Sequence, residues 1–175
     1  MFLTKPILAL LVISQFTCES PQTQKSCKDD AIALSKSEAG GMTDLKTELF
    51  SVSLPESLEK IPITNDDSLG WEYSDKTMNV SIEAGLYVAS FGDHLSSYPE
   101  YCEESRIIDG EFVKVVSLDF GAEKNRGDLS KPYLVGVHFP QSNRVRVPIS
   151  FSVSFRSKTD AEKAFRIIDS IKINR

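Results

Sequence analysis

Between residues 145 and 155 every second side chain is apolar: Val145, Val147, Ile149, Phe151, Val153 and Phe155. The places between them hold Arg146, Pro148, Ser150, Ser152 and Ser154. Successive side chains of an extended chain point to opposite sides. A period of two this long specifies a strand with one face on a core and the other wet or lightly covered. Pro148 has no ladder donor, which places this strand at an edge or bends it there. The alternation recurs in Phe50, Val52 and Leu54, in Met78, Val80 and Ile82, and in Tyr133, Val135, Val137 and Phe139. Residues 112–120 are apolar on both parities and read as a more central strand. Residues 59–63 and 70–74 are shorter candidates, carrying Ile61, Ile63, Trp71 and Tyr73.

One helix is well signalled. Thr159 and Glu162 have capping-box spacing. Ala161, Ala164, Phe165, Ile168 and Ile171 share one face behind them, with Glu162, Lys163, Arg166 and Asp169 opposite. A second helix is expected near Pro99–Ser105, since proline suits a first turn. Asp29–Leu34 could start a short helix that Gly40-Gly41 would stop. Gly121–Lys131 is polar and reads as a surface loop. Of the 175 residues, 41% are hydrophobic and 26% charged, ordinary values for a globular chain. The expectation is one α+β domain over residues 46–175, an antiparallel sheet with helices packed on it.

The N-terminus reads as an address. The apolar run Ile7–Ile13 follows Lys5 and is too short to span a bilayer, but it fits the core of a secretory signal peptide over residues 1–17. Ordinary cleavage after Thr17 puts Gln15 at the third-last place, and cleavage after Ser20 puts Pro21 first. Cys18 offers another end. Ser14-Gln15-Phe16-Thr17-Cys18 resembles the lipobox of bacterial lipoproteins, in which the Cys becomes the lipidated first residue. That pattern prefers Leu three before the Cys and a small residue just before it, where this chain has Gln15 and Thr17. Residues 18–45 then form the lipidated Cys, a polar tether and a short transitional segment. Cys27 and Cys102 would face an oxidising compartment, where an even pair is most simply a disulfide, the alternative being two free thiols.

Several chemistries lack their residues. A net charge of −5 and a pI of about 5.1 provide no cationic field for nucleic acid. His94 and His138 are the only histidines, fewer than a His-based metal site needs. There is no Gly-x-Ser-x-Gly elbow, phosphate-cradling loop or dinucleotide fingerprint. Asp66-Asp67 and Glu103-Glu104 lack EF-hand spacing and read as solvated carboxylates. No cofactor is expected. His94 with Cys102 could make a nucleophile pair oriented by Glu103 or Glu104. His138 reads as a surface or edge histidine. Arg144, Arg146 and Arg156 share the polar parity of the long strand and could form a basic stripe for carboxylates or phosphates. Trp71, Tyr73, Tyr87, Tyr98 and Tyr101 could line a ligand groove, or cover the sheet. Asn79-Val80-Ser81 fits the glycosylation sequon, relevant only in a eukaryotic secretory route.

The order of elements carries a resemblance. Phe50-Ser51-Val52-Ser53-Leu54-Pro55 precedes a strand pair. Ile107-Ile108-Asp109-Gly110 leads into a strand, and a closing helix ends Ile167-Ile168-Asp169-Ser170-Ile171-Lys172. Over residues 46–173 this is similar to the PsbP-like fold of Ran-binding Mog proteins, photosystem PsbP proteins and DcrB-like bacterial lipoproteins. The resemblance implies an α/β/α sandwich used for binding or assembly, without a shared catalytic motif. The expected protein is a cell-envelope lipoprotein, anchored to the membrane at Cys18, with a protein or small-ligand partner; plain secretion is the alternative location. Two other functions stay open: an exported Cys- or Ser-dependent hydrolase, and an immunity-type protein that binds a toxin.

Overall fold

The computed structural model describes residues 26–28, 40–63, 68–88, 90–91, 93–98, 100–120 and 130–174. The signal segment, Cys18, the expected helix at Asp29–Leu34, Asp66-Asp67 and most of the 121–131 loop lie outside them, as does the His94 side chain.

Each alternating segment forms a strand. In chain order these are β1 (Met42–Lys46), β2 (Phe50–Pro55), β3 (Glu59–Ile61), β4 (Leu69–Ser74), β5 (Met78–Ala84), β6 (Cys102–Ile108), β7 (Glu111–Asp119), β8 (Tyr133–Phe139), β9 (Ile149–Phe155) and β10 (Lys172–Ile173). One helix, α1 (Ala161–Asp169), lies between β9 and β10. A seven-stranded sheet runs β3-β4-β5-β9-β8-β7-β6, and a small sheet runs β1-β2-β10. All pairings are antiparallel.

Register puts the apolar parity of neighbouring strands on one face. Val80 lies opposite Val153, which lies opposite Val135; Ile82, Phe151 and Val137 make the next row. All six are buried. The apolar face of α1 (Ala161, Ala164, Phe165 and Ile168) is buried in the same core. The small sheet joins through Phe50, whose ring meets Phe151 and Trp71 edge-on at centroid distances of 5.0 and 5.1 Å. After α1, Ser170 Oγ accepts from Ser53 N (2.9 Å), and β10 then pairs with Phe50 and Ser51. The chain end is thus zipped onto β2.

The opposite face is mixed. Its β5–β9 half presents Asn79, Ser81, Ser150, Ser152 and Ser154, none of them fully buried. On the β8–β7 half, Val116 and Leu118 are buried. The connection from β5 to β6 crosses this half. A Cβ on Gly136 would lie 2.3 Å from Phe91 Cζ, so Phe91 occupies the space a side chain there would need.

Two aspartates set the turns. Asp75 Oδ1 accepts from Thr77 N, Thr77 Oγ1 and Met78 N, closing the β4–β5 hairpin, and Oδ2 accepts from Ser57 Oγ. Burial alone would raise its pKa, but these bonds together outweigh burial and lower it. Asp109 and Gly110 both have positive φ, 48° and 82°, as the two-residue turn between β6 and β7 requires.

The α+β sandwich is corrected by this arrangement. Among the described residues the protein is mostly antiparallel β-structure in two sheets, and helices do not enclose the sheet. Residues 102–105, expected in a second helix, belong to β6, where seven register partners on β7 outweigh the local helix cue. The long strand begins at Ile149, not Val145. It lies between β5 and β8 rather than at an edge, and Pro148 just precedes it, its carbonyl accepting from Gly85 N at 3.1 Å. The helix start also differs. Ser157 Oγ accepts from Thr159 N to cap a short 3-10 turn at Lys158–Asp160, while Glu162 pairs with Arg166. The sheet structure reaches upstream of residue 46, since β1 pairs along β2 from Met42.

Two outcomes test this packing. Phe165→Ala removes a fully buried ring between helix and sheet and should cost about 3–5 kcal/mol in urea unfolding. Asp75 binds its proton less readily folded than unfolded, so its contribution is present above the ordinary aspartate pKa and lost as pH falls through its lowered value. Asp75→Asn should therefore flatten the acid limb of a stability-against-pH curve.

Candidate functional site

The tether side of the sheet is fastened at one point. Cys27 and Cys102 are joined, with sulfurs 1.98 Å and Cα atoms 5.6 Å apart. Cys102 opens β6 on the core-facing parity, followed on that face by Glu104 and Arg106. Glu104 Oε2 accepts from Cys27 N at 3.0 Å. Asp169, at the end of α1, takes Lys28 Nζ at 2.6 Å and Arg106 Nη2 at 2.8 Å. These contacts pin residues 26–28 between the edge strand and the helix.

A cavity of about 450 Å³ lies beside the disulfide. Its floor is the end of the core face: Ser117 on β7, Tyr133 and Val135 on β8, and Phe155 on β9. The disulfide forms one side, and Ala161 with Lys158, at the start of α1, forms another. Glu100 and Tyr101 complete the lining where the crossing segment enters β6. The Tyr133 ring stacks on Phe155 at 5.6 Å. Lys158 Nζ sits 5.7 Å from the Tyr133 ring centroid and pairs with Glu100 at 2.5 Å. The hydrogen bond from Lys158 to Glu100 raises the lysine pKa, so the site keeps its cation at neutral pH. Tyr101 Oη donates to Glu103 Oε2 at 2.7 Å, and the Lys114 and Tyr101 bonds lower the Glu103 pKa. The named apolar residues Cys27, Val135, Phe155 and Ala161 are themselves buried, so the accessible lining is mixed, with the Lys158–Glu100 pair toward solvent and Asp119 also acting on the lysine.

Other sequence candidates are distributed differently. Cys102 is in the disulfide rather than a free thiol. Glu104 is taken by Cys27 and Arg106 instead of orienting a base. Arg144 and Arg146 precede β9, and Arg144 pairs with Asp109 and Glu111, so no arginine stripe runs along the strand. Trp71 and Tyr73 pack on the core, Tyr98 meets Phe120 edge-on at 5.2 Å, and Tyr87 is 88% exposed. Of the five aromatics considered for a groove, only Tyr101 lines the cavity.

The sequence reading missed one pair. His138 Nδ1 lies 2.8 Å from Ser150 Oγ, across the β8–β9 ladder. Burial pushes the His138 pKa down. A nucleophilic serine needs an acid on the far side of its histidine and free N–H groups for an oxyanion. Here Lys114 is the next residue across the sheet beyond His138, and Glu83 lies beyond Ser150 instead. The local backbone N–H groups belong to a sheet ladder. Among the described residues the pair links two neighbouring strands.

The disulfide closes a loop spanning 75 positions, which on the chain-entropy model stabilises by about 4 kcal/mol. A Cys27→Ala/Cys102→Ala double variant should lose that amount in urea unfolding. Reductant should lower the wild type to the same level and leave the variant unchanged.

No protein-family model matches the chain and no curated protein matches it, so the functional reading rests on its own residues.

Proposed function

We propose that the protein is a cell-envelope lipoprotein, acylated at Cys18, whose folded part is a non-catalytic binding module with the cavity beside Cys27 and Cys102 as its ligand site. The observation that carries this reading is the disulfide. It supports an oxidising compartment. It also ties the segment following the lipobox-like sequence to the rim of the cavity. A thiol held in a disulfide is not a nucleophile, which weighs against a Cys102-dependent hydrolase. Several acyl chains on one cysteine hold a protein firmly to a bilayer, where a single chain gives marginal attachment.

A protein partner is the second reading, favoured by the sheet end remote from the disulfide. Ile107 and Phe112 face each other across β6 and β7 and are 74% and 71% exposed. Exposed apolar pairs of this kind suit a docking contact.

The test is the intact mass of natively expressed protein from the membrane fraction, with and without reductant. A species starting at Cys18 with added acyl mass, gaining two hydrogens on reduction, is the expected result, and Cys18→Ala should release the protein from that fraction. A soluble, unacylated species with free thiols would overturn the assignment.

A further inference from the structure

We infer that β6 docks a second copy of this chain, edge to edge and antiparallel, about a two-fold axis at Ile107. The inference rests on the protein-partner reading of this sheet end and needs neither acylation nor the cavity.

The edge comes first. β6 is the last strand of the seven-stranded sheet. The two-residue turn at Asp109-Gly110 makes its flanking residues, Ile108 and Glu111, exchange their backbone bonds. Bonding then alternates along the ladder. Ile108, Arg106 and Glu104 turn their backbone groups toward β7, while Ile107, Ser105 and Glu103 turn theirs outward. Among the described residues no backbone bond reaches that outer side. An open row of donors and acceptors is a template for another strand. Ile107 adds an apolar side chain to the row, 74% exposed, beside Phe112 at 71%.

Register comes second. A contact between two identical copies is self-complementary about its axis. Centring the axis on Glu103, Glu104 or Arg106 sets like charges opposite each other. Centring it on Ser105 sets each Ile107 opposite a Glu103 carboxylate. Centring it on Ile107 aligns Phe112, Ile107, the second copy's Ile107 and the second copy's Phe112 in one row on one face of the joined sheets. Aromatic and β-branched neighbours of this kind are the cross-strand pairs that stabilise a sheet. A foreign strand would need a matching apolar pair in this register, whereas a second copy carries it by symmetry. The overlap keeps to the turn end of β6, beyond Cys102 and Glu104, where residues 26–28 are fastened.

Area comes third and sets the strength. At roughly 200 Å² for a large apolar side chain, Ile107 and Phe112 expose on the order of 300 Å² per copy. Two copies bury about 600 Å² of apolar side chain together with the paired backbone, which stands at the low end of specific interfaces, below about 1,200 Å². The contact is therefore a weak dimer that forms with rising protein concentration.

The experiment uses the full chain in intact cells, with p-benzoylphenylalanine in place of Phe112. Irradiation should give a product of twice the monomer mass, and peptide mapping should join position 112 to a peptide holding Ile107 or Phe112. Ile107→Lys should cut that product at least five-fold and Ile107→Leu should keep it, both at an unchanged melting temperature. Ser105→Cys should not cross-link on oxidation, because Ser105 faces the turn of the second copy rather than its own counterpart. Oxidative cross-linking of Ser105→Cys, or a dimer product insensitive to Ile107→Lys, would overturn the inference. A cross-link to a different protein would also overturn it, while retaining a protein contact at this sheet end. Irradiation that joins position 112 to no protein at all would remove both.

Discussion

Phe151 is the point on which the two sheets depend. Its ring is fully buried, meeting Phe50 of the small sheet at 5.0 Å and Phe139 of the neighbouring strand at 5.8 Å. A seven-stranded sheet with one apolar face must cover that face or leave it in water. Among the described residues α1 and a three-stranded sheet share the cover, and Phe50 with Phe151 marks where the small sheet enters the core. The C-terminal segment follows from this. Once α1 lies on β8 and β9, Ser170 and β10 reach the open side of β2, so the last strand closes against the segment that opened the fold.

The cavity is a consequence of the same packing. Among the described residues the helix covers the middle of the apolar face, while Ser117 and Tyr133 at its end stay partly accessible and Phe155 is buried. Residues 26–28 come down beside that end, held by Cys102, Glu104 and Asp169. The disulfide is therefore both a staple and a cavity wall. Its loss should loosen the site as well as the fold, because the loop it closes contains five of the strands, from β1 to β5.

The two ends of the sheet have different chemistry. At the disulfide end, residues 26–28 are tied down beside Lys158, on which Glu100 and Asp119 both act. At the other end, Ile107 and Phe112 stand exposed beside the Asp109-Gly110 turn. That turn is held from behind by Arg144 and by Ile173 N, which donates to Asp109 Oδ2 at 3.0 Å.

The residues alone determined the strands. Alternation at Phe50–Leu54, Met78–Ile82, Tyr133–Phe139 and Ile149–Phe155 is a local property, because the pleat sends successive side chains to opposite faces. The stripe of α1 was legible for the corresponding reason. The cysteine pair was legible as an alternative to free thiols, and only the distance between β6 and residue 27 decided it. Local cues failed where long-range pairing overrode them: the residues after Pro99 extend along β7, and Pro148 lies outside a central strand that it was expected to bend or push to an edge. The site was least legible. Tyr133 reads as one more core position, and Lys158 belongs to no pattern. They meet because antiparallel register carries Tyr133 beside Phe155, and the turn after β9 brings Lys158 back over the ring. Sequence spacing encodes which face a residue takes, but proximity between residues 27, 100, 102, 133 and 158 is created only when the helix and crossing segment fold back onto one end of the sheet.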